Sequence, residues 1–216
     1  ARLPAAGISV GGGAPAVSAG SSFVGARLRY GGGGDWYSGG SLVNLMKDVR
    51  ERAGVPVEGD DEVKVGVGDD ELFDYPFVFM NGHGEVKFTD SELANLRKYL
   101  DNGGFLFAND DYGMDASFRR EMRRLFPESP LVELPNDHPI YHCFYDLPGI
   151  PKIHAHDNKP AQGLGLFRNG RMAVFYAYES DIGDGLEDAE VHHDPAAVRD
   201  AATKMGVNIV VYAMTH

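Results

Sequence analysis

The sequence predicts an α/β fold: a three-layer, doubly wound, mostly parallel sheet carrying a long irregular insert. Three observations predict it. Apolar strand-like runs alternate with amphipathic helical stretches, the pattern of successive βαβ units. Several runs (FVFM at 77–80, FLFA at 105–108, VNIVVYA at 207–213) are apolar at almost every position, as strands covered on both faces are. No internal repeat and no second core interrupts the series over 216 residues, a length that suits one domain.

The elements follow in order. Residues 1–22 are rich in Gly, Ala, Ser and Pro, with Arg2 the only charge, and read as a low-complexity N-terminal extension. The α/β domain then runs from 23 to 216. Residues 23–30 read as a strand, followed by four consecutive glycines. Ser41 is placed to cap a helix whose Leu42, Leu45, Met46 and Val49 share one face, and Gly54 ends it. Residues 63–67 alternate as a second strand, and 77–80 form a third. Thr89 and Glu92 have the spacing of a capping box, ahead of the stripe Leu93, Leu96, Leu100. Residues 105–108 are the next strand and 117–126 a short Arg-bearing helix. Residues 127–170 read as irregular, which for 44 residues implies function rather than passive connection. Residues 172–178 are a strand, Asp194-Pro195 starts a last helix that Gly206 ends, and 207–213 closes the sheet as a final strand.

Composition narrows the function. Twenty Lys+Arg against 32 Asp+Glu give a net charge of −12, which argues against a nucleic-acid or anionic-membrane binder. No apolar stretch reaches the roughly 18 residues that cross a bilayer. The single Cys143 excludes an internal disulfide framework and a multi-cysteine zinc or iron–sulfur site. A start at Ala1 with a low-complexity lead fits an exported chain, periplasmic or extracellular, whose signal peptide has been removed.

In parallel sheets ligands bind beyond the carboxyl ends of the strands. Four such ends carry Gly with Asp, Glu or His: Gly31 to Tyr37 with Asp35, Asn81-Gly82-His83-Gly84, Asn109 to Asp115 with Asp110 and Asp111, and Glu179 to Gly185 with Asp181. Glycine lets backbone approach a ligand, and the polar groups orient it; the same residue types also form ordinary loops. Asp110 and Glu179 are the candidate general bases. Asp35, Trp36, Tyr37, His83, Asp111, Tyr112, Tyr141 and Asp181 are candidate ligand contacts, the aromatic ones as stacking surfaces. The four-glycine run lacks the Gly-Lys-Ser/Thr ending of a phosphate-binding loop. Imidazole and carboxylate together suit a divalent transition metal. His138 and His142 flank Pro139 at i,i+4 and would share a helical face, and His154 and His156 would share a face if extended. His138, His142 and His154 are therefore the candidate metal ligands, with hydrogen-bonded loop histidines as the plainer alternative. Seven carboxylates between Glu179 and Asp194 lack the spacing of a calcium loop and read as a solvated acidic segment. Arg119, Arg120, Arg123 and Arg124 either hold an anion or, given the net charge, pair with acidic neighbours.

The runs RLRYGGGGDWYS, ELFDYPFVFMNGHG, LRKYLDNGGFLFANDDYGMDASFRREM, LPNDHPIYH, PKIHAHD and FYAYESDIGDG resemble a bacterial domain-of-unknown-function family, number 4159, over about 23–216. That family resembles the class I glutamine amidotransferase-like superfamily, which implies a flavodoxin-like fold and an exported setting but no reaction. Amidotransferases carry a nucleophilic Cys at the turn after a central strand. Here that place holds Asn109-Asp110-Asp111, and Cys143 lies in the irregular stretch. Glutaminase activity is therefore not expected. Three readings stand at this point. One is a cell-envelope domain binding a small polar ligand or a divalent metal ion through the Asp/His/Glu cluster. The second is a metal-assisted hydrolase using the same cluster. The third is a structural or accessory subunit whose N-terminal segment contacts protein neighbours or a second copy of the chain.

Overall fold

The computed structural model describes residues 22–36 and 39–216; the expected extension, apart from Ser22, and Tyr37 lie outside them. One seven-stranded sheet runs β2-β1-β3-β4-β7-β6-β5. Its strands are β1 (Gly25–Arg29), β2 (Val63–Gly66), β3 (Phe77–His83), β4 (Phe105–Tyr112), β5 (Val132–Glu133), β6 (Gln162–Arg168) and β7 (Arg171–Tyr178). The first four and β7 pair in parallel, while β5 and β6 are antiparallel additions at one edge. Helices α1 (Ser41–Ala53), α4 (Ile182–Gly185) and α6 (Ala196–Thr215) share one core cluster with Phe77, Phe79, Phe105, Phe107 and Phe175. Helices α2 (Asp90–Asp101) and α3 (Asp115–Leu125) cover the other face, over Val78, Met80, Leu106, Ala108 and Tyr176. A further short helix, α5, spans Ala189–His192. The arrangement is α/β with helices on both faces, compatible with the expected three-layer winding. Among the described residues, no helix is long and apolar enough to cross a membrane.

The alternation of faces positions everything that follows. Odd-numbered side chains of β3 and β4 point toward α1 and α6, and even-numbered ones toward α2 and α3, because strand side chains alternate with period two. Past the apolar residues, Asn81, Asn109 and Asp111 therefore continue the first face and Asp110 the second.

Several elements form as their residues dictate. The Thr89 hydroxyl accepts from the Glu92 N–H at 3.2 Å, and the Glu92 carboxylate accepts from the Thr89 N–H at 2.7 Å. Replacing Thr89 with alanine should cost about 1 kcal/mol of unfolding free energy. Urea unfolding of the variant checks it, and an unchanged midpoint would mean the box adds nothing. Gly54 ends α1 in the left-handed conformation. Ser41, by contrast, is the first helical residue rather than a cap; its hydroxyl instead accepts from Arg27 at 3.1 Å.

Four further expectations are corrected. Residues 207–213 are not a strand: they are the buried half of α6, which passes through Gly206 without ending. An apolar run of that length fits a buried helix as well as a strand. Gly206 is there for contact, since a Cβ would lie 2.7 Å from Leu45 Cδ1 of α1. The stretch 127–170 is not irregular throughout, because β6 and β7 form a hairpin across Asn169 and Gly170, both at positive φ. Strands β3 and β4 extend beyond their apolar cores, so Asp110 and Asp111 sit within a strand rather than at its exit turn. The turn at Pro139–Tyr141 is a 3-10 turn, in which i,i+4 positions do not share a face.

The glycine run is also explained. Gly34 donates to the Glu85 carbonyl at 3.0 Å, and Asp35 bridges His83 in antiparallel fashion. A Cβ on Gly34 would lie 2.5 Å from the His83 and Glu85 carbonyl oxygens. The run lets backbone pack on backbone across the exit of β3.

Candidate functional site

At the carboxyl edge of β3, β4 and β7 the sheet face toward α1 and α6 turns polar. The buried Arg27 guanidinium donates to Asn81 Oδ1. Asn81 Nδ2 donates to Asp111 at 2.8 Å, and Asn109 Nδ2 donates to the same carboxylate at 2.6 Å. Asp181 stands opposite, fully buried, within 3.3 Å of Asn109 Nδ2 and 2.9 Å of His156 Nε2. Both Glu179 (φ 54°) and Asp181 (φ 57°) adopt the left-handed backbone. That costs about 1–2 kcal/mol per non-glycine residue, and such strain concentrates at functional sites.

Outward from this lies a histidine cluster. His154 Nδ1 is 2.9 Å from Asp184 and 3.6 Å from Asp181, while Nε2 is 3.0 Å from Asp194. His192 Nε2 is 3.4 Å from Asp184. His154, Asp184 and His192 offer three donor atoms within 4.8 Å of one another, and so do Asp111, Asp181 and Asp184.

The electrostatics follow from burial and pairing. Burial, reinforced by Asp181 and Asp184, holds the Asp111 carboxyl well above the usual carboxylate range. Burial and the Asp181 charge push Asp184 up to about 6. Burial also works against ionised Asp181, but the bonds from His154 and His156 outweigh it and hold this carboxyl low. The bond to Asp181 lifts His154 to about 9 against its own burial, with Asp194 assisting. Asp181 is thus favoured as the anion of the network and Asp111 as its neutral acid.

On the opposite sheet face Asp110, 4% exposed, accepts from the Met114 N–H at 2.9 Å and the Tyr176 hydroxyl at 3.2 Å. Burial pushes its carboxyl up to about 6. Asp110 borders a cavity of about 290 Å³ that Tyr112, Asp115, His156, Tyr178 and Glu179 also line. His156 belongs to both places: it bonds Asp181 and packs against Tyr112 with ring centroids 5.0 Å apart and planes tilted by 39°.

The residues named from sequence are therefore divided among several places. Asp110, Tyr112 and Glu179 share the cavity, whereas Asp111, Asp181 and His154 lie in the buried network. Asp35 and His83 pair with each other at 3.1 Å, exposed, beyond β1 and β3. Trp36 packs on the core with Lys64 over its ring at 5.4 Å. Tyr141 is a buried core residue rather than a stacking surface, because its 3-10 turn folds it under β6. His138 caps that turn and stands against Tyr212, while His142 bonds Asp146 at 2.5 Å and the Asn136 carbonyl at 2.8 Å. Neither belongs to a three-donor group among the described residues. Arg119, Arg120 and Arg124 pair with Asp115, Glu85, Glu121 and Asp90, so that helix face is a salt-bridge surface.

The sequence offers His192-His193-Asp194 as a further imidazole–carboxylate group, but it does not show that His192, Asp194 and Asp184 meet His154. The alternating His-Ala-His was the available signal, but its partners lie 30 to 40 residues on.

The fold and this edge define an α/β domain with a buried carboxylate–amide–histidine network where its parallel strands end. The chain belongs to the family described as Domain of unknown function (DUF4159), which matches residues 25–214. No curated protein matches it.

Proposed function

We propose that this domain binds one divalent transition-metal ion through His154, Asp184 and His192. The observation that carries the reading is the convergence of two imidazoles and a carboxylate within 4.8 Å. Nitrogen and carboxylate donors of this kind suit zinc and its neighbours in the first transition row. The second nitrogen of His154 faces Asp194, the outer carboxylate that commonly orients a metal-bound histidine. Partial exposure of all three donors leaves an entry path. The parallel strands, read in the order β2-β1-β3-β4-β7, support the flavodoxin-like, amidotransferase-like placement. Within that frame the chemistry has moved away from a thiol. The Cys143 sulfhydryl donates to the Asn208 carbonyl at 3.2 Å, and burial pushes it up to about 11, which argues against a thiolate nucleophile and glutaminase activity.

Calorimetric titration of chelator-stripped full chain with zinc and manganese tests this. One equivalent should bind, and His154→Ala and His192→Ala should each abolish it. The double variant His138→Ala/His142→Ala should keep it. No binding, or equal binding in the cluster variants, would overturn the reading.

A further inference from the structure

We propose that the cavity beside Asp110 and Glu179 is a binding site for a neutral polyhydroxylated ring, that is, a saccharide unit. The inference is independent of the metal reading, since it rests on other side chains on the opposite side of β4.

Size comes first. About 290 Å³ lies at the lower bound of ordinary ligand pockets, so the space suits one or two small rings.

Charge comes second. Four carboxyl groups line the cavity: Asp110, Asp115, Asp157 and Glu179. Three already have a cation. Arg119 is 2.6 Å from Asp115, Lys159 is 3.1 Å from Asp157, and Lys152 is 3.2 Å from Glu179. An incoming amine would find three of the four carboxyls already paired, and a phosphate would face four acidic groups. A hydroxyl-rich neutral molecule meets neither obstacle. Each carboxylate has lone pairs beyond those its cation uses, and each ammonium has spare N–H groups. Such a lining can accept from and donate to vicinal hydroxyls without a change of net charge.

The apolar surface comes third. Tyr112 is 51% exposed, its hydroxyl tied to Asp157 at 3.2 Å and one neighbour, the tilted ring of His156, packed beside it. That fixes a rigid, half-open aromatic plate at the cavity wall, onto which the C–H face of a sugar ring fits. Tyr178 cannot serve in the same way, because Arg119 and Lys159 lie over its ring at 5.5 and 5.7 Å. Glu179 supplies the directional contact. It is only 3% exposed yet lines the cavity, with the Asp157 N–H and Lys152 holding the carboxylate.

Saturation-transfer NMR and calorimetry on the full chain test the site. The probes are glucose, galactose, mannose and N-acetylglucosamine and their common disaccharides, with spermidine and inorganic phosphate as charged counterparts. At least one saccharide should bind, with transfer strongest at ring C–H protons. Tyr112→Ala and Glu179→Gln should each weaken it roughly tenfold or more, the effect of losing one charge-assisted contact or its platform. Tyr112→Phe should retain binding. Because Tyr112 is half exposed, its variants keep the test decisive if Glu179→Gln does not fold. The proposal is overturned if no saccharide binds, if binding is unchanged in Tyr112→Ala and Glu179→Gln, or if spermidine or phosphate takes this site instead.

Discussion

Arg27→Ala is expected to lower the unfolding free energy by about 3–5 kcal/mol, the cost of breaking a buried ion pair from one side. For a domain whose total stability is on the order of 5–15 kcal/mol, that is a large fraction. Arg27 sits in β1 between β2 and β3 and is fully buried. Its donors are distributed over four groups. Nε meets Glu62 at 2.5 Å, Nη1 meets Asn81, and Nη2 meets the Gly39 carbonyl at 3.2 Å and the Ser41 hydroxyl at 3.1 Å. Phe79 lies under the guanidinium at 5.1 Å. Alanine would strand the Asn81, Gly39 and Ser41 oxygens and open a void over Phe79.

The partners are not equally dependent on it. Glu62 is 12% exposed and also has Lys64 at 3.2 Å. Glu62→Gln should therefore cost distinctly less than Arg27→Ala. Arg27→Met, which restores volume but no donors, should fall between them. Urea unfolding with an unchanged slope measures all three. If Arg27→Ala stays within about 1 kcal/mol of the parent, a typical surface-scale effect, the buried cation is not what ties β1 to the amide of Asn81. That amide matters at a distance, since its Nδ2 donates to Asp111. The chain Glu62–Arg27–Asn81–Asp111 thus connects the edge of the sheet to the acidic network.

Legibility of the fold from sequence depended on whether a signal was local. Thr89 and Glu92 are three residues apart and bond each other, so the capping box reads directly. The strand cores at 77–80 and 105–108 read from hydrophobicity alone. Their continuations, Asn81 to His83 and Asn109 to Tyr112, did not, because Asn, Gly and Asp are poor strand formers. Parallel pairing of β3 with β4 overrides that preference. The β6–β7 hairpin had a local signal, the Asn169-Gly170 turn, hidden within a stretch that looked irregular. For 207–213 no local signal decides, since a buried helix and a buried strand share one hydrophobic pattern.

The candidate site divided along the same line. Polar residues at the strand ends were legible as a group, and the structure does place Asp110, Asp111, Glu179 and Asp181 at one sheet edge. Which of them face each other was not legible. Adjacent Asp110 and Asp111 point to opposite faces, a consequence of strand geometry that appears only once β4 is known to continue through them. His154 meets Asp184, His192 and Asp194 because α4, α5 and the start of α6 fold back together, a tertiary event without sequence period.

Asp110→Asn is expected to make the domain more stable at pH 8 and to leave it nearly unchanged at pH 4. Burial, helped by Asp115 and Asp181, raises the folded carboxyl from 3.8 to about 6, against the lowering bonds from Met114 and Tyr176. Below the unfolded value the group is protonated in both states and contributes nothing. Between 3.8 and about 6 the unfolded chain releases the proton more readily, so stability falls as pH rises. Above that range both states are ionised, and the folded one carries a constant cost of roughly 3 kcal/mol, at about 1.4 kcal/mol per pH unit. Asparagine keeps the acceptor for the Met114 N–H and carries no charge to bury. The stability difference between variant and parent should therefore climb through pH 4 to 6 and level off above it, reaching about 2–3 kcal/mol. Urea unfolding at pH 4.5, 6 and 8, in chelator, measures the climb. A flat or falling difference would mean that Asp110 ionises at no cost inside the fold. A rising one would mean that the domain retains a destabilising carboxyl at the wall of its cavity, which is how residues kept for binding or chemistry commonly behave.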